Sequence, residues 1–241
     1  MQDIDRSKPV PVHVAVIMDG NGRWARKNRL KTRVQGHEAG AESVRAVLRA
    51  CANTGIRYLT LYAFSTENWK RPEAEVEGLM GLLEKFLRAN REELIENNIK
   101  LRAIGRLDDL PRNVRAALQE GIEATAGNTQ QELILALSYG GRTELLDAMR
   151  AIAGKIQAGV VAPEQIDEEM IRAHLYAPDI PDPDLMIRTS GEQRISNFLL
   201  WQLCYSELYI SPVLWPDFRE TDFYDAIENY QHRSRRFGDV K

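Results

Sequence analysis

The chain has 241 residues, of which 44% are hydrophobic and 28% charged, and its formal net charge is −3 at pH 7. A chain of this length can bury a large core in one domain, and its charge excludes a general attraction to nucleic acid or to anionic lipid. No apolar run reaches the roughly 20 residues of a membrane span. The two cysteines lack CxxC spacing, which indicates buried, reduced thiols. The N-terminus is polar, unlike a signal peptide, so we expect a cytoplasmic protein with at most peripheral membrane contact.

Hydrophobic patterning predicts strands and helices in alternation. Residues 1–12 are polar and are expected to form a flexible arm. Apolar and β-branched runs predict six strands, over residues 13–18, 58–64, 99–104, 132–138, 184–188 and 208–210. Helical spacing predicts helices over 38–53, 72–97, 111–126 and 142–157, a short one within 163–176, and a last one from Asp222 with Arg233, Arg235 and Arg236 in its final turn. We expect a single α/β domain over 13–237, with a mostly parallel six-stranded sheet between helices on both faces, and a tail over 238–241.

The first predicted strand ends in a carboxylate followed by glycines. Asp19 precedes Gly20-Asn21-Gly22-Arg23-Trp24. Ligands bind at the carboxyl ends of parallel strands, and glycines let the backbone come close to a ligand. An acid beside backbone N–H groups and an arginine suits a metal-bound phosphate ester. The same residues are also common turn formers, so on their own they fit a solvated turn equally well.

The segment after Asp19 is strongly basic. Between Gly20 and His37 there is no acidic residue, and the basic ones are Arg23, Arg26, Lys27, Arg29, Lys31 and Arg33. In a chain of negative net charge, such a local cluster favours a site for a small anion or a solvated loop over a nucleic-acid footprint.

Polar segments also follow three other predicted strands. They are 65–72 after the second strand, 139–142 after the fourth and 188–197 after the fifth. Because the carboxyl ends of parallel strands share one edge of the sheet, these segments predict two phosphate sites. The first combines the backbone from Gly20 to Arg23 with Arg33 and His37, and the second combines Arg188, Arg194 and Ser196. Each arginine alone would more often be a surface residue.

Two carboxylates and one apolar helix complete the candidate site. Asp19 and Glu207 are the plausible Mg²⁺ ligands, although Glu207 also fits a solvated helix end. The helix predicted over 72–97 carries a stripe of Leu, Met and Phe, which more often indicates core packing, although a channel for a hydrophobic ligand next to Ala63 would show the same stripe. A Walker A motif and the third glycine of a dinucleotide fingerprint are both missing.

These motifs together resemble the cis-prenyltransferases. The resemblance runs from about residue 13 to 237 and depends on five segments: His13-x3-Ile17-Met18-Asp19-Gly20-Asn21-Gly22-Arg23-Trp24-Ala25, Gly36-His37-x2-Gly40, Tyr62-Ala63-Phe64-Ser65-Thr66-Glu67-Asn68-Trp69-x-Arg71-Pro72, Ile187-Arg188-Thr189-Ser190-Gly191-Glu192-x-Arg194-x-Ser196-Asn197-Phe198 and Trp215-Pro216-Asp217-Phe218. It implies a homodimer with a hydrophobic tunnel, and Mg²⁺-dependent condensation of isopentenyl diphosphate onto an allylic diphosphate, usually farnesyl diphosphate, with cis double bonds formed. Gln193 departs from the pattern, since some members carry a metal-linked histidine there.

The resemblance also implies roles for individual residues. Asp19 would be the essential magnesium-binding acid, and Asn68 would assist proton removal. Glu207 would serve the metal or the site of the partner subunit. The allylic diphosphate would be held by Gly20, Asn21, Gly22, Arg23, Arg33 and His37, and isopentenyl diphosphate by Arg188, Arg194 and Ser196. Further substrate contacts would come from Trp24, Ser65, Thr66, Glu67, Trp69, Arg71 and Ile195.

Other classes of protein stay open at this point. They are a non-catalytic partner subunit of the same fold, another Mg²⁺-dependent phosphate-transfer enzyme, and a nucleic-acid binder that uses the basic segment. Within the resembled family, the small side chain of Ala63 favours an open tunnel and a long product, and a short-chain synthase is the alternative.

Overall fold

The strands of the described chain, residues 4–5 and 7–234 of the computed structural model, form one parallel sheet. They are β1 (His13–Ile17), β2 (Tyr58–Ser65), β3 (Ile99–Ile104), β4 (Gln131–Tyr139), β5 (Leu185–Arg188) and β6 (Glu207–Ile210). Their order is β3-β4-β2-β1-β5-β6, and every pair of neighbours is parallel. The central strand β1 places Ile17 opposite Arg188 of β5, so the segments after β1, β2, β4 and β5 converge on one edge.

Seven α-helices connect and cover these strands. They are α1 (Asn21–Lys27), α2 (Arg33–Thr54), α3 (Glu73–Glu96), α4 (Arg112–Ala124), α5 (Gly141–Gln157), α6 (Glu168–Ala173) and α7 (Glu220–Gln231). The predicted α/β domain with a six-stranded parallel sheet is confirmed. None of the helices in the described part of the chain has the length and apolar character needed to cross a bilayer.

The sheet separates two hydrophobic cores, because successive strand residues point to opposite faces. On one face Val14 and Val16 pack with the inner sides of α2, α3, α4 and α7. On the other face Ala15 and Ile17 pack with Tyr139 and Phe198. Each fully buried large apolar side chain contributes about 1.5–3 kcal/mol, and the sheet is therefore stabilised from both faces.

The hydrophobic pattern predicts no helix before residue 38, but residues 21–37 contain α1 and the first turn of α2. Gly20 adopts φ +112°, the left-handed conformation at the N-cap of α1. Thr32 and Gln35 form a capping box that starts α2 at Arg33, five residues before the predicted start. Gly36 allows the two helices to touch, because a Cβ there would lie 2.1 Å from the carbonyl oxygen of Asn21.

The chain ends and one cysteine also differ from expectation. The last helix begins two residues early and ends at Gln231, so Arg233 lies beyond it rather than in its final turn, while Arg235, Arg236 and the tail over 238–241 lie outside the described residues. In the arm, Ile4 packs against the core and the Asp5 and Lys8 carbonyls accept hydrogen bonds from the Gln231 amide at 3.0 and 3.3 Å. Of the two free cysteines, Cys51 is buried but Cys204 is exposed, contrary to expectation.

Candidate active site

A cavity of about 640 Å³ opens at the carboxyl edge of the sheet. It lies between the sheet and helices α2 and α3, and most of its depth is aliphatic. The deep wall consists of Val44, Leu61, Leu79, Met80, Leu83, Phe86, Leu135 and Leu137, with Ala63 beside them. Ala63 sits where the pairing of β2 with β4 shifts register, an irregularity that is common beside active sites. The site is therefore an apolar space with a polar mouth.

The polar mouth of the cavity is formed mainly by residues that directly follow the strands. Nine of the predicted site residues line the cavity, namely Asp19, Asn21, His37, Ser65, Glu67, Asn68, Arg71, Arg188 and Ser196. They come from the segments after β1, β2 and β5 and from the start of α2, so these three strand ends meet, whereas the predicted segment 139–142 after β4 does not line the cavity. Oxygen ligands, cations and an apolar space thus share one cavity.

Asp19 is the carboxylate at the centre of the mouth. Its Oδ2 accepts a hydrogen bond from Arg188 at 2.8 Å, and its Oδ1 lies 3.5 Å from Arg23. Burial alone would raise the pKa of Asp19, but the hydrogen bond and charge of Arg188, the Gly20 N–H and the charge of Arg23 outweigh burial and hold this pKa below its usual range. The group is therefore an anion at neutral pH, as a metal ligand has to be.

Arg188 is a buried cation, only 3% exposed, with one N–H left over. Besides Asp19, it donates to the Ser196 hydroxyl at 2.7 Å and to the Arg194 carbonyl. Its Nε is buried and has no acceptor within the described residues. An unpaired buried donor on a cation costs free energy, and an anionic ligand in the mouth would supply the missing acceptor.

A second group of cations lies on the other side of the mouth. Arg71 pairs with Glu75 at 3.0 Å, and Arg33 reaches the same carboxylate at 3.8 Å. Burial, followed by the charges of Arg71 and Arg33, lowers the pKa of His37 to about 4. His37 is consequently neutral at pH 7 and can either donate or accept one hydrogen bond there.

The loop after β2 is fixed by its own hydrogen bonds. The Asn68 Oδ1 accepts from the Ser65 N–H at 3.0 Å, and the Trp69 indole donates to the Ser138 hydroxyl at 2.9 Å. Trp69 also packs edge-on against Phe64, with ring centroids 4.8 Å apart. Asn68 is thereby presented at the cavity mouth on a short, well-supported turn.

Several residues that were not predicted hold the site residues in position at this edge of the sheet. Thr189 is fully buried and donates to the Asp19 carbonyl at 2.6 Å. Asn197 donates to Glu67 at 2.8 Å and accepts from the Arg142 N–H at 2.9 Å, so it links the segments after β2, β4 and β5. Ser190, Ser196 and Asn197 all have positive φ, and such strain is common at functional sites. The available signal was weak, because only asparagine is enriched in this conformation.

Some predicted site residues support the mouth from outside the cavity wall. The guanidinium of Arg33 lies within 2.6 Å of the place where a Cβ on Gly22 would stand. Trp24 donates to Asp217 at 2.7 Å, and Arg194 pairs with Glu192 at 2.5 Å. Thr66 touches Gly140 from the next segment, and Ile195 packs against the second core.

Glu207 is not brought to Asp19 within the chain. It is the first residue of β6, where it pairs with Leu185 at the amino end of the sheet, and its carboxylate accepts from Arg233 at 2.6 Å. In the described part of the protein no three His, Cys, Asp or Glu side chains are grouped to hold a metal ion. The single carboxylate of Asp19 nevertheless fits Mg²⁺, which binds through one or two carboxylates together with substrate phosphates and water.

Comparisons with known proteins agree with this geometry. The sequence profile of the family described as "Putative undecaprenyl diphosphate synthase" matches residues 17–238. An isoprenyl transferase from Heliobacterium mobile is 51% identical over 96% of this chain and 89% of its own length. One from Porphyromonas gingivalis is 52% identical over 95% of this chain and 90% of its own.

Two solved structures share the fold over nearly their whole length. Lavandulyl diphosphate synthase from Lavandula x intermedia, in complex with dimethylallyl diphosphate, gives a TM-score of 0.92 at 38% identity and covers 95% of this chain and 99% of that one. A "probable undecaprenyl diphosphate synthase" from Campylobacter jejuni gives 0.80 at 34% identity, with 96% and 100% covered. Extended identity, the shared fold and a cationic mouth over an apolar cavity together make this chain a cis-prenyltransferase of the undecaprenyl diphosphate synthase family.

Proposed function

We propose that this enzyme condenses isopentenyl diphosphate with farnesyl diphosphate in a Mg²⁺-dependent reaction that forms cis double bonds. The product is a long-chain polyprenyl diphosphate, undecaprenyl diphosphate, from which the lipid carrier of cell-wall synthesis is made. The observation that carries this proposal is the joining of one polar mouth, containing Asp19, to a cavity of about 640 Å³ with an aliphatic wall. A diphosphate ester of an isoprenoid has the same two halves.

The allylic diphosphate binds on the α1–α2 side of the mouth. Its contacts are Gly20, Asn21, Gly22, Arg23, Arg33 and His37, with Trp24 next to them. Asn21 and His37 support this placement, because both line the cavity beside Asp19. The uncharged His37 donates one hydrogen bond to a phosphate oxygen.

Isopentenyl diphosphate binds on the β5 side, at Arg188, Arg194 and Ser196 with Ile195 beside them. The unpaired Nε of Arg188 provides a donor for a phosphate oxygen. Asn68 assists removal of the proton that leaves the isopentenyl unit as its new double bond forms. The loop residues Ser65, Thr66, Glu67, Trp69 and Arg71 provide further substrate contacts. The two sites meet at Asp19, which lies between Arg23 and Arg188.

The polar mouth neutralises charge during the reaction, and the apolar part of the cavity excludes water. Loss of diphosphate from an allylic carbon leaves a cation on the chain and negative charge on the leaving group. When bound at Asp19, Mg²⁺ neutralises part of that charge, and the arginines act where the charge develops. The allylic cation is protected from water by the aliphatic wall next to Ala63.

Two finer proposals concern assembly and location. The enzyme works as a homodimer, in which Glu207 serves the metal or the partner subunit's site. Two apolar side chains on one side of α5 support a subunit contact at this helix: Leu146 is 44% exposed and Met149 67%. It acts in the cytoplasm, with at most peripheral contact with the membrane that receives its product. A short-chain synthase of the same mechanism is the alternative function.

The test is incubation with farnesyl diphosphate, labelled isopentenyl diphosphate and Mg²⁺, followed by sizing of the product. A C55 product is expected, and chelation of Mg²⁺ should stop the reaction reversibly. A product that stops at C20, one addition to farnesyl diphosphate, would refute the long-chain proposal, and no product with any allylic primer would refute the activity.

The matched variants are Asp19→Ala and Asp108→Ala. Asp108 is fully exposed and pairs only with Arg115 at 3.0 Å, so its removal should leave the rate unchanged. Loss of Asp19 should lower kcat/KM by about 10²–10³-fold or more, the range seen when one charge-stabilising group is removed. Normal turnover by Asp19→Ala would refute its assigned role.

A further inference from the structure

The basic segment between Gly20 and His37 carries more positive charge than the mouth uses. It contains six cations and no acidic residue, in a chain whose net charge is −3. Two of the six, Arg23 and Arg33, belong to the proposed allylic site. The other four are exposed and have no role in either substrate site: Arg26, Lys27, Arg29 and Lys31.

Both ends of this segment are anchored at the mouth. At its start, Arg23 donates to the Ser190 carbonyl at 3.1 Å and lies 3.5 Å from Asp19. At its end, the guanidinium of Arg33 lies over Gly22, 2.6 Å from where a Cβ would stand. The chain runs outward along α1 and returns at the start of α2, so the residues between the two arginines border the mouth.

The geometry of α1 places two of the four cations on the side of Arg23. Arg26 and Lys27 follow Arg23 by three and four residues, the spacing of neighbours on one side of a helix. With a rise of about 1.5 Å per residue, Lys27 lies about 8 Å along the axis from Gly22. The Debye length is about 10 Å at an ionic strength of about 0.1 M, so these charges act on an anion that approaches the mouth.

The four cations are not neutralised by neighbouring carboxylates. On α2, by contrast, the exposed Arg49 pairs with Glu220 at 2.8 Å. Within residues 4–5 and 7–234 none of the four forms an ion pair, although Asp217 lies close to the segment and accepts from Trp24 at 2.7 Å. The positive field therefore extends into the solvent in front of the mouth.

The preference of cations for the C-terminus of a helix explains only part of this segment. It accounts for Arg26 and Lys27 in the last turn of α1. It does not account for Arg29 and Lys31, which lie beyond the end of the helix, or for the lack of any acid before His37. An excess of charge of one sign beside a cleft suits a ligand of the opposite sign that enters there.

We propose that Arg26, Lys27, Arg29 and Lys31 form an anion-capture surface that draws isopentenyl diphosphate and the allylic diphosphate from solution into the mouth. This inference rests on the proposed function and adds residues that act before the substrate is bound. Each round of chain growth needs another isopentenyl diphosphate, so the benefit recurs at every addition. Clefts lined by charge of one sign raise association rates of charged ligands by about 10-fold to 10³-fold.

The experiment measures kcat and KM for isopentenyl diphosphate at ionic strengths of about 20 and about 500 mM. The test variant, Arg26→Gln/Lys27→Gln/Lys31→Gln, removes three charges from the anion-capture surface. A second variant, Arg26→Lys/Lys27→Arg/Lys31→Arg, keeps the charges and changes the side-chain shapes.

The matched control is Arg57→Gln/Lys100→Gln/Lys155→Gln. It also removes three charges, but at the end of the molecule opposite the mouth. Arg57 precedes the first residue of β2, Lys100 is the second residue of β3, and Lys155 lies in the last turn of α5.

We expect the test variant to lower kcat/KM by about 3–10-fold at low ionic strength and by less than about twofold at high ionic strength, because salt screens the charges. The loss should lie in KM, with kcat unchanged, since the charges act before the chemical step. Inorganic pyrophosphate, which has the charge but no isoprenoid chain, should inhibit the test variant more weakly by a similar factor. The charge-keeping variant and the control should behave as wild type.

The outcomes separate the two proposals. No product from wild type overturns the proposed function, whereas an active wild type with the same salt dependence as the test variant overturns the anion-capture surface. An equal loss in the control would show an effect of total charge, and an equal loss in the charge-keeping variant would show a specific contact, and either result overturns the proposal.

A membrane role would give a different result. If the test variant lost binding to vesicles of anionic phospholipid while KM stayed unchanged, the surface would serve the membrane and the proposal would be overturned. Circular dichroism checks folding, and if the triple variant fails to fold, Lys27→Gln/Lys31→Gln tests the same direction with a smaller change in charge.

Discussion

The contact between α1 and α2 at Gly36 sets two opposite expectations for Gly36→Ala. Alanine is favoured over glycine in a helix interior by about 1 kcal/mol, so helix propensity alone predicts stabilisation. A Cβ at this position, however, would stand 2.1 Å from the Asn21 carbonyl oxygen and 3.3 Å from the Ala25 Cβ. Backbone cannot yield as a flexible side chain does, so α1 has to move by roughly 1 Å.

The steric term should win. Overpacking costs about 1–3 kcal/mol, which leaves Gly36→Ala less stable than wild type by about 1–2 kcal/mol after the propensity gain. The shift also displaces Asn21 and Arg23 at the mouth, and a displacement of this size costs about 10²-fold in rate. The assays are urea unfolding and kcat/KM for the allylic substrate.

Gly154→Ala is the matched control for this prediction. Gly154 lies inside α5, and a Cβ there meets no atom within 4 Å. This variant should gain up to about 1 kcal/mol and keep its activity. If Gly36→Ala were stabilised to the same extent and fully active, the argument that Gly36 fixes α1 against α2 would be refuted.

Three further predictions concern residues beside the site. Tyr139→Phe removes the 2.5 Å bond to the buried Glu144 carboxylate and should cost about 1.5–3 kcal/mol in urea unfolding, as for hydrogen bonds to charged groups; unchanged stability would contradict it. Thr189→Val keeps the side-chain volume but removes the donor to the Asp19 carbonyl, so the free energy of unfolding should fall by about 1 kcal/mol. An unchanged free energy of unfolding would show that this hydrogen bond does not stabilise the site. His13 is buried and its pKa is lowered to about 4 by burial, so between pH 6.5 and 4 the unfolded chain binds the extra proton and this residue alone lowers stability by about 1–2 kcal/mol from pH 7 to 5. Because the pKa of His37 is lowered to a similar value, His13→Gln should remove about half of the combined slope, and an equally steep slope would rule out His13 as a source.

The strands and most helices could be predicted because their apolar residues repeat with the period of the element. The region around α1 could not, since Gly20-Asn21-Gly22 has the composition of a turn, and a helix of seven residues is stabilised by packing rather than by propensity. The early start of α2 had a readable signal in Thr32 and Gln35, the two members of its capping box.

The polar mouth was largely predictable, because in a parallel sheet every strand delivers its following residues to one edge. Contacts between residues far apart in the sequence could not be predicted. Glu207 carries the right chemistry for a metal ligand but enters the sheet at the opposite end, beside Arg233. The link that Asn197 makes between three segments depends on left-handed backbone and on contacts 55 and 130 residues away, which no local pattern encodes.

The pairing of Asp19 with Arg188 spans 169 residues and also determines when the site can exist. A ribosome that adds about 5–20 residues per second needs on the order of 10–30 s between these two residues. Throughout that interval β1 lacks its β5 neighbour and exposes an unpaired strand edge, which is open to wrong pairing. A chain released before Arg188 is synthesised therefore lacks a complete site and keeps one unpaired strand edge. The enzyme becomes functional only near the end of its synthesis, and incomplete copies are substrates for chaperones and proteases.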